Sequence, residues 1–417
     1  MRKSVGMTVS RHNSLGLYFS IPFCRSKCTY CNFASGVYPA SEHASYVARV
    51  IADLVDAPAW ARHMQVELPR NVDSIYFGGG TPVLLAPELI TQIFDTIRNR
   101  FDLSSDVEIT VECAPGQIAD ATLNAMVKAG VNRVSLGVQS FIDREAALSG
   151  RLHTRAQVLE DLRRLRAAGI TNLNLDLMAG LAEQKLCSWS ESISTLLDNA
   201  VPHASVYMLE IDEDSRLGRE LIAGGGRYGA GLVPSDDTIA KMYEEAVSAF
   251  NAAGLRQYEI SNFALAGHES RHNLRYWQRR SYLGIGLDAS SMLRAEDGSV
   301  LRATTTADLA AYIEGNSQHE TAWLGPAQQL EEAWFLGLRR NAGVKISALR
   351  EEFRAGAIEP SLFVARRFAE DGLLSLEEDT VRLTERGRLI SNDVFAEFIG
   401  LNSAFEPDPG RESAMAN

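Results

Sequence analysis

Cysteine is scarce in this chain, and its distribution is uneven. The 417 residues include 5 cysteines, three of which fall at positions 24, 28 and 31. So low a content excludes the disulfide framework of a small secreted protein. Thiols crowded into one short segment favour metal binding in a reducing compartment instead. The other two, Cys113 and Cys187, are predicted to be ordinary small buried residues.

Long apolar runs and an excess of positive charge are also missing. No window approaches the roughly 18 uninterrupted apolar residues of a membrane-spanning helix. Lys and Arg together number 41 against 53 for Asp and Glu, which gives a net charge of −12. Such a balance argues against broad binding of phosphate backbones. We therefore expect no membrane span, no nucleic-acid partner and a cytoplasmic location.

Short β-rich runs alternate with amphipathic helical stretches over the first half of the chain. The predicted strands are Leu15–Ser20, Val72–Phe77, Val107–Glu112, Val131–Gly137, Asn172–Met178 and Ala204–Leu209. The predicted helices between them are Glu42–Val55, Pro87–Arg98, Ala119–Ala129, Arg155–Ala168 and Trp189–Asn199. This alternation indicates βαβ units and a parallel sheet. About six such units fit a partial barrel, with functional residues at the carboxyl ends of the strands.

The pattern changes in the second half. A long helix is predicted around Asp236–Ala253, and the segment from Leu330 to Ile399 shows helices, then a small hairpin, then a last helix. Helices followed by a two-stranded wing suggest a winged-helix module, and a helical cap with a hairpin is the alternative. The expected division is a partial barrel over 1–235, an extension of it over 236–326, a C-terminal helical or winged-helix domain over 327–401, and a disordered tail over 402–417.

Cys24, Cys28 and Cys31 form a C-x3-C-x2-C run directly after the first predicted strand. Three thiolates this close in sequence converge by wrapping one loop around a metal centre. Three ligands rather than four leave one iron of an iron–sulfur cluster open, and that iron can take the amino and carboxylate groups of S-adenosylmethionine. The alternatives are buried unligated thiols or a zinc site, which needs a fourth Cys or His nearby.

The cysteine run and Gly78-Gly79-Gly80-Thr81-Pro82 after the second predicted strand together carry a family resemblance. The chain resembles the radical-SAM family, and within it the group of oxygen-independent coproporphyrinogen III oxidase and its heme-chaperone relatives. The resemblance extends from about Tyr18 to Ile399. It implies an α/β fold with a partial (β/α)6 barrel, a [4Fe-4S] cluster on the three cysteines, and bound S-adenosylmethionine.

The resemblance also assigns further positions to the S-adenosylmethionine site. These are Tyr18, Tyr30, Gly79, Gly80, Thr81, Glu112, Gln139, Arg151 and Asp176. Acids and an amide suit ribose hydroxyls, an arginine suits a carboxylate, and glycines permit close approach. Arg151 could instead be a solvated charge on a helix, whereas Asp176 lies in an apolar strand and needs a partner.

Two departures from the oxidases point to the heme-chaperone branch. Phe33 stands where the oxidases carry a further cysteine, and only 23 residues precede Cys24. In addition, the segment from His272 to Trp277 fits the H-N-x-x-Y-W signature of that branch. The resemblance implies heme as a further ligand, with His272 as a candidate axial ligand. A satisfied structural histidine is the alternative, and His153, His203 and His268 compete for the ligand role.

The expected function is binding of heme and its transfer to an acceptor protein such as a respiratory enzyme, with an electron donor for the cluster. An enzymatic alternative is oxidative decarboxylation of coproporphyrinogen III. A second alternative, radical modification of RNA, is disfavoured by the net charge of −12.

Overall fold

In the part of the chain that the structure describes, the fold is organised around a twelve-stranded sheet. The computed structural model describes residues 14–315 and 320–401, so the predicted tail over 402–417 lies outside the described residues. The central strands of the sheet are β1 (Leu15–Ile21), β2 (Asn71–Gly79), β3 (Asp102–Cys113), β4 (Arg133–Gln139), β5 (Asn172–Ala179) and β6 (His203–Met208). These six pair in chain order and in parallel, which confirms the predicted α/β class and partial barrel.

Helices connect the parallel strands and cover them. They are α1 (Glu42–His63), α2 (Pro87–Arg100), α3 (Asp120–Ala129), α4 (Asp143–Leu148), α5 (Arg155–Ala167) and α6 (Leu186–Asp198). Helix α1 runs past the predicted end at Val55 and contains Pro58. The proline removes one backbone hydrogen bond, but buried Ala57 and Ala61 continue the apolar face beyond it.

The sheet extends beyond the barrel strands at both edges. The elements that follow β6 are α7 (Arg216–Ile222), α8 (Asp236–Ala252), β7 (Arg256–Gln257), β8 (Asn262–Ala264), α9 (Arg271–Trp277), β9 (Tyr282–Gly286), β10 (Ser290–Arg294), β11 (Val300–Thr304), α10 (Leu309–Glu314) and β12 (Glu320–Leu324). Strand β9 pairs parallel with β1, and β10, β11 and β12 follow it at that edge, each antiparallel to the strand before it. The order across the whole sheet is β12-β11-β10-β9-β1-β2-β3-β4-β5-β6-β8-β7. None of the strands β7 to β12 is predicted from the sequence, because runs of two to five residues show too little alternation.

The C-terminal region has its own small sheet and its own apolar core. Its elements are α11 (Pro326–Arg339), β13 (Val344–Lys345), α12 (Ile346–Glu352), α13 (Ala355–Glu370), β14 (Leu374–Glu377), β15 (Thr380–Leu383), α14 (Glu385–Leu389) and α15 (Ser391–Ala396). The predicted hairpin is present as β14 and β15, and β13 completes a three-stranded sheet. Trp334 and Phe398 stack at the centre of this core. The exact domain boundaries stay predictions.

Within residues 14–315 and 320–401, no helix is both long enough and apolar enough to span a bilayer.

Candidate functional site

A cavity of about 740 Å³ opens at the carboxyl ends of the barrel strands. Its walls come from the loop after β1, from the ends of β2 to β6, and from the C-terminal region. Of the residues assigned to cofactors from the sequence, those lining it are Cys24, Cys28, Tyr30, Cys31, Gly79, Gly80, Thr81, Glu112, Gln139, Arg151 and Asp176. The fold therefore brings residues as far apart in sequence as Cys24 and Asp176 to one site, as expected for a parallel barrel.

Backbone hydrogen bonds within the cysteine loop and to the end of α4 hold this loop in place. The Cys24 amide donates to the Gly36 carbonyl at 2.9 Å, and the Thr29 amide donates to the Ser149 carbonyl at 3.0 Å. A side chain on Gly150 would place its Cβ 3.2 Å from the Cα of Cys28, so the loop needs glycine there. Cys24, Cys28 and Cys31 are free thiols, each partly exposed to the cavity.

The thiols are arranged around the cavity wall. The Thr81 hydroxyl donates to the Cys24 sulfur at 3.9 Å, and the Ser35 hydroxyl lies 3.9 Å from the Cys31 sulfur. No group of three or more His, Cys, Asp or Glu in the described part of the chain is placed to hold a metal ion. Of the remaining cysteines, Cys113 is buried as predicted, whereas Cys187 is exposed, so that prediction is wrong.

The glycine segment after β2 crosses directly under the cysteine loop. The Gly80 amide donates to the Ile21 carbonyl at 2.9 Å, and the Thr81 amide donates to the Phe23 carbonyl at 2.8 Å. A Cβ on Gly80 would lie 2.6 Å from the Ile21 carbonyl oxygen, and Gly79 has a φ of +91°. Both positions therefore require glycine, and the bare backbone is left facing the cavity.

Two half-buried carboxyl groups line the cavity. The Tyr76 hydroxyl donates to Glu112 at 2.7 Å, and burial raises the pKa of Glu112 to about 7. Asp176 accepts hydrogen bonds from the Ser135 hydroxyl at 3.0 Å and the Asn174 amide at 2.7 Å. Burial also raises the pKa of Asp176. The hydrogen-bond partners that Asp176 needs in an apolar strand are therefore provided by neighbouring strand residues.

Gln139 and Arg151 each carry a buried polar atom without a hydrogen-bond partner in the described part of the chain. Gln139 has a φ of +66° at an irregularity in the pairing of β4 with β5. Its buried Oε1 and the buried Nε of Arg151 have no hydrogen-bond partner among the described residues. Arg151 lies between α4 and α5 and donates to the Tyr30 hydroxyl at 3.2 Å, so it is not a solvated helix charge. Unpaired buried polar atoms facing a cavity suit a polar ligand.

Tyr18 and His272 lie away from the cavity lining. They stack with each other and with Tyr76, and the Tyr76 and His272 rings are 5.2 Å apart. His272 is 1% exposed, with Nδ1 3.1 Å from the Ser74 hydroxyl and Nε2 2.9 Å from the Tyr276 hydroxyl. Burial lowers its pKa to about 3. This geometry favours the structural alternative, and heme ligation by His272 stays a prediction that the contacts do not support.

The competing histidines also differ in position. His203 is fully buried, with its two nitrogens hydrogen-bonded to Asn174 and Tyr258 at 2.6 and 2.9 Å. His268 lies outside the cavity lining. His153 lines the cavity, and its Nε2 donates to the Val138 carbonyl at 3.1 Å.

Several residues of the cavity lining are not predicted from the sequence. Tyr207 and Met208 end β6, where the rule of carboxyl strand ends could have identified them. Arg339, Ser391 and Asn392 come from the C-terminal region, and the Asn392 amide donates to Glu210 at 3.3 Å. No motif marks these three, because only the packing of the C-terminal region against the barrel brings them to the cavity.

Comparison with known proteins agrees with this arrangement. Residues 18–196 match the model of the Radical SAM superfamily, and residues 324–390 match that of the HemN C-terminal domain. Heme chaperone HemW of Bacillus subtilis is 34% identical, with 92% of this chain and 98% of the relative covered. The chain belongs to the HemW family of radical-SAM proteins. The HemW protein of Escherichia coli is 31% identical over the same shares.

A solved structure shows the same fold at lower identity. Coproporphyrinogen III oxidase (HemN) of Escherichia coli superimposes with a TM-score of 0.78 at 22% identity. The match covers 93% of this chain and 90% of that one. This chain and the oxidase therefore share both the barrel and the C-terminal region, and the fold alone does not decide function.

Proposed function

We propose that this chain binds a [4Fe-4S] cluster through Cys24, Cys28 and Cys31, holds S-adenosylmethionine beside it, and binds heme for transfer to an acceptor protein. The observation that carries the proposal is one cavity whose lining includes the three thiols of the cysteine loop, the bare backbone of Gly79 and Gly80, and unpaired polar atoms. The family supports the heme component, since its curated members are named heme chaperones.

The donor set fits an iron–sulfur cluster. Each iron of such a cluster takes its own thiolate, so the three sulfurs stand around the cluster and do not meet at one point. The fourth cysteine of the lining, Cys113, is 4% exposed, and its sulfur donates to the Val111 carbonyl at 3.8 Å. Since no three potential ligands converge on one point among the described residues, the three loop thiols suit this arrangement better than a zinc ion. When bound, the reduced cluster supplies an electron and an open iron site to S-adenosylmethionine.

The residues around the thiols have distinct roles toward S-adenosylmethionine. Gly79 and Gly80 admit its methionine end close to the backbone. Arg151 pairs with its carboxylate, using the Nε donor that has no hydrogen-bond partner among the described residues. Glu112 and Asp176 accept hydrogen bonds from ribose hydroxyls.

Replacing any one of the three loop cysteines by alanine tests the cluster. We expect Cys24→Ala, Cys28→Ala and Cys31→Ala each to lose the cluster, because each removes one of only three protein ligands. Iron and acid-labile sulfide are measured after anaerobic reconstitution. Cys187→Ala is the matched control, since this cysteine is exposed on α6 and lies outside the cavity lining. Full iron and sulfide content in a loop variant would contradict the assignment.

Heme binding is tested on the same reconstituted protein. Optical spectra are recorded during a heme titration, with and without S-adenosylmethionine. A saturable Soret band at one heme per chain is the expected result, and no saturable binding would remove the chaperone component of the proposal.

A further inference from the structure

Arg339 is a cation that the C-terminal region contributes to the cavity lining. It is the last residue of α11 and lines the cavity with Ser391 and Asn392 of α15. The other cations in the lining are Arg25, Lys27 and Arg151. All three belong to the cysteine loop or to the proposed S-adenosylmethionine site. Arg339 is thus the cavity cation that the proposed cofactors leave without a role.

The surroundings of Arg339 contain unpaired polar atoms. Its guanidinium lies 4.3 Å above the Trp277 ring and 3.6 Å from Oε2 of Glu259. The latter distance is too long for a hydrogen bond. Arg339 Nε, Glu259 Oε2 and Trp277 Nε1 are buried and have no hydrogen-bond partner among the described residues. Two such atoms beside the cation, together with its own Nε, mark a site that its protein neighbours do not complete.

Glu259 forms an ion pair with Arg339 but no hydrogen bond. Its other oxygen, Oε1, accepts from the Ser261 amide at 2.8 Å and also from the Asn262 side chain. The carboxyl group is fully buried, and burial raises its pKa despite the opposing attraction of Arg339. Glu259 therefore orients the guanidinium without saturating it, and the cavity face of the guanidinium stays available to an anion.

Heme is an apolar macrocycle with two propionate carboxylates at one edge. The exposed apolar residues Phe33, Leu152 and Ile211 line the cavity, at 63%, 61% and 40% exposure. They offer contacts for the macrocycle, whereas the carboxylates need a cation. We propose that Arg339 binds a heme propionate, so that the C-terminal region supplies the carboxylate-recognition part of the heme site. This inference rests on the proposed heme binding.

Comparing heme with its dimethyl ester tests the role of Arg339, because the ester keeps the macrocycle and the iron but loses both charges. The measured quantity is the ratio of the two dissociation constants, determined by anaerobic titration of the full cluster-loaded chain. We expect the wild type to prefer heme over the ester by about tenfold. Arg339→Gln should bring this ratio close to one.

Two further variants sharpen the test. Glu259→Gln keeps the hydrogen bonds at Oε1 and removes the competing charge, so the preference for heme should rise above that of the wild type. Arg340→Gln is the matched control, because this neighbouring arginine does not line the cavity, and its ratio should equal the wild-type ratio.

The outcomes separate the inference from the proposed function. If the wild type binds neither heme nor the ester, the proposed function fails. If heme binds but the ratio in Arg339→Gln equals that of the wild type, the inference is wrong and the function stands. Cluster content checks that Arg339→Gln is folded. Should that variant not fold, Glu259→Gln decides: a raised ratio supports the inference, and an unchanged ratio overturns it.

Discussion

At the scale of single residues, the cavity holds acids in an environment that disfavours their charge. Glu112 is enclosed between Tyr76 and the backbone of Gly78, where an added Cβ would lie 3.0 Å from its carboxyl atoms. Desolvation raises its pKa from the ordinary 4.5 to about 7. A carboxyl group in this state releases its proton near neutral pH, which makes its charge sensitive to a bound cation such as a sulfonium.

We predict that Glu112→Gln changes the pH dependence of stability. Between pH 4.5 and 7 the folded protein holds a proton on Glu112 that the unfolded chain has lost, so the wild type loses stability as pH rises through this window. Relative to the wild type, the variant should gain about 3 kcal/mol in free energy of unfolding from pH 4.5 to 8.

Urea unfolding of both proteins at the two pH values, with the cluster removed, measures this difference. A stability difference that does not vary with pH would show that Glu112 titrates normally.

At the scale of elements, the turn between β7 and β8 joins the barrel to the C-terminal region. The Ile260 amide donates to the Arg339 carbonyl at 3.2 Å, and the Asn341 amide donates to the Tyr258 carbonyl at 3.0 Å. The Ile260 side chain packs in the C-terminal core although it belongs to the barrel extension. This short turn therefore positions Arg339 over the cavity.

Truncating Ile260 should weaken this junction. We predict that Ile260→Ala lowers the free energy of unfolding by about 2–4 kcal/mol, because it leaves a hole in the C-terminal core. Chemical denaturation measures the loss, and limited proteolysis should release the C-terminal region sooner. Ile222→Ala is the control, since Ile222 is 69% exposed and its truncation should change stability little. Equal stability of both variants would refute the packing role of Ile260.

At the scale of the whole molecule, this chain shares its fold with an oxidase of different name. The TM-score of 0.78 to coproporphyrinogen III oxidase shows a shared architecture, whereas family membership lies with the heme chaperones. Function must therefore depend on the site. Phe33 is 63% exposed and lines the cavity beside the cysteine loop, at the position where the resemblance expects a cysteine in the oxidases.

We predict that the cluster-loaded protein does not decarboxylate coproporphyrinogen III. The reason is Phe33, which has no thiol to offer at that position. An anaerobic assay with S-adenosylmethionine and a reductant, analysed by chromatography of the porphyrin products, gives the answer. The authentic oxidase run in parallel is the positive control, and vinyl-containing product from this chain would favour the enzymatic alternative.

The sequence by itself determined the chemistry close to the thiols. Cys24, Cys28 and Cys31 lie within one loop, and the glycine segment follows a strand that pairs with the strand before that loop. Such local patterns survive in any tertiary context, because spacing and backbone conformation are properties of short segments. The alternation of strands and helices likewise predicted the parallel sheet, since each βαβ unit is a local structure.

Only the tertiary structure decided which side chains meet across long separations. His272 fits a heme signature in sequence, but packing encloses both of its ring nitrogens between Ser74 and Tyr276. Arg339 belongs to no motif, yet docking of the C-terminal region places it on the cavity wall. Burial and hydrogen-bond partners depend on surfaces formed by distant segments, and no local spacing encodes them.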